Sequence, residues 1–146
     1  MKNEKTGYTF KTDKGYSVKT DGGNTTVSTS KTSGAVPYFE LTLMQNSTGR
    51  SVEDFLTNIG NDAIKQYGDK IVAGPEPATV KLHDRSIKGI EYVRTNDKGD
   101  KKIAVLTYVE EYSGYFFTWR ALCYADDAET PAAMQEAADT FKFLAS

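Results

Sequence analysis

Residues 102–124 read KIAVLTYVEEYSGYFFTWRALCY, and this stretch decides the fold. Ile103, Val105 and Val109 alternate with Ala104, Leu106 and Tyr108, so a strand over residues 102–110 is apolar on both faces. Such a strand lies centrally in a sheet and is covered from both sides. Tyr112-Ser113-Gly114 supplies a turn, and residues 115–124 form the next antiparallel strand. On that strand Tyr115, Phe117 and Trp119 fall on one side, and Phe116, Thr118 and Arg120 on the other.

Working back from this pair, Asn96-Asp97-Lys98-Gly99-Asp100 is a hairpin turn that brings in a strand over 86–95. A further strand, 78–82, turns into it at His83-Asp84-Arg85. Ile71-Val72-Ala73 is a short strand leading into a stiff turn at Gly74-Pro75-Glu76-Pro77. Before it, Val52, Phe55, Leu56, Ile59, Ala63 and Ile64 recur at helical spacing. Ser51 is placed as N-cap, Glu53 and Asp54 suit the positive end of the macrodipole, and Tyr67-Gly68 is the stop. Phe39, Leu41 and Leu43 make one face of a strand over 36–44. The front of the chain is rich in Thr, Ser, Gly and Lys: residues 8–10 and 16–18 read as a hairpin, and 25–33 as an edge strand or mobile loop. At the other end Thr130-Pro131 opens a helix with Ala133, Met134, Ala137, Ala138 and Phe141 as its apolar stripe, and Phe143 and Leu144 pin its end. The expected class is α+β, a mostly antiparallel β-sheet flanked by two main helices. Residues 1–7 are expected to be a flexible N-terminal segment, and 8–146 a single domain.

The chain has 146 residues, 38% hydrophobic, 26% charged and 12% aromatic, the composition of a folding domain. Eighteen Lys and Arg stand against twenty Asp and Glu. That balance argues against nucleic acid as a partner, since phosphate binding needs concentrated positive charge. One Cys makes no internal disulfide, and one His builds no multi-histidine metal site. No apolar run reaches membrane-spanning length. The polar start reads as a mature-chain start or tether, or as a frayed terminus; in the first case the protein sits outside the cytoplasmic membrane, touching it only through an N-terminal lipid anchor that this chain does not carry.

The segments Tyr38-Phe39-Glu40-Leu41-Thr42-Leu43 and Ser51-Val52-Glu53-Asp54-Phe55-Leu56 are similar to those of the Mog1/PsbP-like superfamily, which includes DcrB-like and PsbP-related bacterial envelope lipoproteins. The strands Ile87-Lys88-Gly89-Ile90-Glu91-Tyr92 and Tyr115-Phe116-Phe117-Thr118-Trp119-Arg120 continue the resemblance, and Thr140-Phe141-Lys142-Phe143 resembles the family's finish. It covers roughly residues 36–144. It implies an α/β/α sandwich that binds or assembles and performs no chemistry, and it transfers no catalytic residue.

The residues themselves offer several chemistries. Cys123 and His83 are the lone thiol and lone imidazole, with Asp84 as an orienting group, so a small hydrolase or transferase is one alternative. Against it, Cys123 lies late in an aromatic strand, where a buried small hydrophobe is the usual occupant. Glu40, Glu91, Glu110 and Glu111 could supply a carboxylate pair, although solvated strand positions account for them. Asn96 to Asp100 lacks calcium-loop spacing and is explained by turn chemistry, while Asp126, Asp127 and Glu129 are explained by capping of the last helix. No metal and no cofactor are expected, and no phosphate loop is present. The binding surface expected is aromatic and cationic: Tyr92, Arg94, Tyr108, Trp119 and Arg120, residue types that dominate recognition hot spots. The competing expectation is that the second helix covers them. The function that follows is a non-enzymatic binding or assembly module of the bacterial cell envelope, recognising a protein or small ligand. A cytoplasmic secretion-adaptor chaperone with a concave apolar groove is the remaining alternative.

Overall fold

The computed structural model describes residues 2–3, 8–12, 15–28, 37–46, 49–82, 85–112 and 114–143. In chain order the elements are β1 (Lys2–Asn3), β2 (Tyr8–Thr9), β3 (Ser17–Asp21), β4 (Asn24–Ser28), β5 (Tyr38–Gln45), α1 (Val52–Tyr67), β6 (Ile71–Leu82), β7 (Arg85–Thr95), β8 (Lys102–Tyr112), β9 (Tyr115–Tyr124), α2 (Glu129–Asp139) and β10 (Lys142–Phe143). Seven strands form one sheet in the order β3-β4-β5-β9-β8-β7-β6, every neighbour antiparallel. The stretch that decides the fold therefore supplies the two strands at its middle. A helix covers each face, as the α+β expectation required.

Register sorts the side chains into two layers, because successive residues of a strand point to opposite faces. One layer holds Phe39 and Leu41 of β5, Tyr108 of β8, and Phe117, Trp119 and Ala121 of β9, covered by Met134, Ala137 and Ala138 of α2. Tyr8 and Phe10 complete this layer; Phe10 and Phe141 meet the Trp119 indole edge-on at 5.5 Å and 5.8 Å between ring centres. The opposite layer holds Ile90, Tyr92, Ile103, Val105, Val109, Phe116 and Leu122 under α1.

Helix α1 forms as its sequence predicts. The Ser51 hydroxyl accepts from the Asp54 N–H at 3.1 Å, and Gly68, at φ 45°, donates its N–H to the Ile64 carbonyl. Leu56, Gly60 and Ala63 are its buried residues, whereas Ile64, expected in the apolar stripe, is exposed. Gly60 explains the close approach: a Cβ there would stand 2.7 Å from Ile90 Cδ1.

The front of the chain corrects the sequence reading. Tyr8–Thr9 does not pair with residues 16–18; it pairs with Lys2–Asn3 and Lys142–Phe143 in a separate three-stranded sheet. Lys2–Asn3, read as part of a loose leader, is thus a strand. The turn at Asp21–Asn24 instead closes the β3–β4 hairpin. β4 is interior, not an edge strand, and Thr25 and Val27 are fully buried in it. The Tyr8 hydroxyl donates to the Gly23 carbonyl and lies 2.6 Å from the Thr25 hydroxyl, so threonine serves as core once its polar atom is satisfied. Residues 29–33 of the expected strand, and Leu144, lie outside the described residues.

Gly74-Pro75-Glu76-Pro77 is no separate turn. A single strand, β6, runs through it with register irregularities between Ile71 and Glu76. It is the sheet's edge, where proline's missing N–H costs no ladder bond. The cap of α2 also shifts: Asp127 accepts from the Glu129 and Thr130 N–H groups at 2.8 and 3.1 Å, and the Thr130 hydroxyl donates to it. Thr130 is inside the helix, and the capping role falls to the acidic residue before it.

Candidate functional site

Between α1 and the sheet lies an open cleft of about 320 Å³. Its floor is cut from β5, β9, β8 and β7, whose register lines up Glu40, Arg120, Thr107 and Ile90 across the sheet. The next row toward the β8–β9 turn holds Thr42, Thr118, Val109 and Lys88. Phe55, Ile59, Ala63 and Tyr67, spaced along one face of α1, form the opposite wall. One end is apolar: Phe55 stacks on Phe116 at 4.5 Å, and Met44 stands beside it with 54% of its surface exposed.

The other end is polar. Arg120 Nη1 is 3.5 Å from Glu40 Oε1, longer than the 2.7–2.9 Å typical of a charge-assisted hydrogen bond. Burial holds the Tyr92 phenol above its ordinary value, partly offset by the Arg120 guanidinium beside its hydroxyl. Tyr38 is likewise held up, by burial and then by the Glu40 carboxylate. Arg94 packs its guanidinium over the Tyr67 ring at 4.3 Å and donates to the Thr95 carbonyl at 3.4 Å, leaving its Nε buried without an acceptor. Arg120, Tyr92, Tyr67 and Glu40 therefore line the end of the cleft at the last turn of α1, with Arg94 and Tyr38 adjoining.

Three of the five residues singled out in the sequence meet here. Tyr92 and Arg120 line the cleft and Arg94 adjoins it. Tyr108 and Trp119 do not join them, because they point through the other face of the sheet. Trp119 is 2% exposed, and Tyr108 is buried with its hydroxyl donating to Glu91 Oε2 at 2.7 Å. Both are covered by α2, as the competing expectation held, and line only a small cavity of about 70 Å³ closed by Met134 and Gln135. The five are thus two sets on opposite faces, not one patch. The alternation within each strand contains this division, but the register between β7, β8 and β9 is needed to see it. Thr107 and Thr118, read in the sequence only as strand residues, turn out to line the cleft floor.

The remaining candidates are dispersed. Cys123 is 1% exposed, and burial, with Asp127 adding to it, pushes its thiol up to about 11. A thiol so held is protonated at neutral pH and is not a nucleophile. His83 and Asp84 lie outside the described residues. Register places Glu40 and Glu111 on one face and Glu91 and Glu110 on the other. Asn96 is consumed by its turn, accepting from the Asp100 N–H at 3.1 Å, and Asp97 pairs with Lys70 at 2.8 Å. Among the described residues no three His, Cys, Asp or Glu side chains converge as a metal site.

The solution structure of a cyanobacterial PsbP (CyanoP) from Synechocystis sp. PCC 6803 is similar to this chain, with a TM-score of 0.61 at 14% identity, over 98% of this chain and 90% of that one. A crystal structure from Bacteroides thetaiotaomicron VPI-5482 gives a TM-score of 0.59 at 12% identity, over 95% of this chain. This chain spans 46% of the length of that Bacteroides chain. No protein-family profile matches the sequence, and no curated protein does. The fold is PsbP-like, as the resemblance in the sequence implied.

Proposed function

We propose that the chain is a non-enzymatic binding or assembly module of the bacterial cell envelope, acting by recognition at the cleft under α1. One observation carries this reading: Arg120, Tyr92 and the neighbouring Arg94 converge at one end of an open cleft whose other end is apolar. Preformed, mostly apolar clefts with a few convergent polar groups are the usual form of a ligand site. The buried, protonated Cys123 speaks against thiol chemistry. The envelope placement rests on the resemblance. Among the described residues no helix is long and apolar enough to cross a membrane.

A thermal-shift screen of small carboxylates, amines and neutral amphiphiles tests this reading. A compound that raises the melting temperature of the wild type is expected to lose that effect in Arg120→Met and to be recovered chemically unchanged. Turnover of the compound, or stabilisation indifferent to substitutions in the cleft, would overturn it.

A further inference from the structure

The floor of the cleft carries a feature that its packing does not require. Thr107 and Thr118 are 2% and 8% exposed, both line the cleft, and neither hydroxyl forms a hydrogen bond among the described residues. Both oxygens stay open to the cleft's solvent, since the one wholly buried unpartnered side-chain polar atom among the described residues is Arg94 Nε, so each can exchange water for a bond to an occupant. The two hydroxyls flank Arg120: Thr107 is opposite it across the β8–β9 ladder, and Thr118 is two residues before it on the same face. Both therefore lie beside Arg120 on the cleft floor.

Charge narrows what belongs there. The polar end is lined by Arg120 and by the carboxylate of Glu40, whose contact with it is long; Arg94 adjoins from behind the Tyr67 ring and also feels the Asp97 carboxylate. Asp62, the other acidic residue of the cleft, is exposed on α1 at the mouth. With its contact to Glu40 this long, the Arg120 guanidinium keeps donors for one negative group that accepts hydrogen bonds. From there the floor runs along β9 to the Phe55–Phe116 stack and the exposed Met44, a surface that takes hydrocarbon. We propose that the cleft is a site for a small amphiphilic carboxylate, its head on Arg120, Thr107 and Thr118 and its chain on Phe55, Ile59 and Met44. The inference rests on the cleft's being the recognition site and adds the class of its occupant.

Octanoate, octanol and octylamine share a chain and differ in the head group, so calorimetric titration of the three separates head from tail. Octanoate is expected to bind at least about tenfold more tightly than octanol, the margin of one hydrogen bond to a charged group. Arg120→Met should abolish that margin. Thr118→Val should weaken octanoate severalfold while leaving the melting temperature unchanged or raised, an outcome that a purely structural threonine would not give. Equal binding of octanoate and octanol, preference for octylamine, or unchanged octanoate affinity in Thr118→Val would overturn the proposal. If octanoate fails while another compound from the thermal-shift screen still depends on Arg120, the occupant class is wrong and the cleft's role stands. If no compound depends on Arg120, both fail.

Discussion

Gly89 has no side chain because the Tyr108 ring occupies that space. A Cβ there would collide with the ring and with the Thr107 carbonyl oxygen, and the carbonyl is backbone that cannot swing aside. Gly89→Ala is therefore expected to destabilise the fold by about 2–3 kcal/mol in urea unfolding, the cost of overpacking a filled site. Gly60→Ala meets only the end of the Ile90 side chain, and the gain in helix propensity, about 1 kcal/mol, offsets it. Its stability should stay close to wild type. Cys123 makes a second prediction at this scale. Its folded thiol stays protonated to about pH 11, whereas the unfolded chain releases that proton near the ordinary 9.0. The fold thus keeps the full contribution below pH 9 and loses it progressively up to pH 11. Tyr108, raised by burial and by its hydrogen bond to Glu91, acts in the same direction from pH 10 upward. The melting temperature should fall over this range, and fall less steeply in Cys123→Ala.

Elements whose signal is local were legible in the sequence; those defined by a distant partner were not. The N-cap, spacing and glycine stop of α1 lie within its own residues, and all three appear as read, while the exposure of Ile64 depends on how the helix sits on β7. β8 declared its central place by being apolar on both faces, since only a strand covered twice gains from that pattern. β4 reads as an edge in isolation because its core residue Thr25 owes its burial to Tyr8, seventeen positions away. β6 was cut short because Gly and Pro signal a turn in isolation but are tolerated along a sheet edge. The cap of α2 belongs to the same class, as Asp127 and Thr130 are both good caps and the chain's exit from β9 selects the first. Asp127→Ala is accordingly expected to cost about 1 kcal/mol in thermal or urea unfolding. Thr130→Val should not reproduce a cap loss, because the Thr130 N–H would still reach Asp127.

Across the whole molecule, one sheet keeps two unlike faces. The α2 face is filled by aromatics from both ends of the chain: Tyr8 and Phe10 pack with Phe141 around Trp119. The α1 face is packed near Leu56 and Ala63 but leaves a cleft over Thr107, Thr118 and Arg120. The candidate site was half legible for this reason. Residue type pointed to Tyr92, Arg94 and Arg120, but equally to Tyr108 and Trp119; alternation parts Trp119 from Arg120, and inter-strand register is needed to assign Tyr92, Arg94 and Tyr108 to their faces. The threonine floor carried no signal in the sequence, because an unpartnered hydroxyl is a property of three-dimensional packing. The account stands on recognition occurring at the α1 face, and amide chemical-shift mapping during a titration with octanoate tests that most directly. Perturbations confined to Ile59, Ala63, Thr107, Thr118 and Arg120 are the predicted result; perturbations centred on Trp119, Met134 and Ala138 would contradict it.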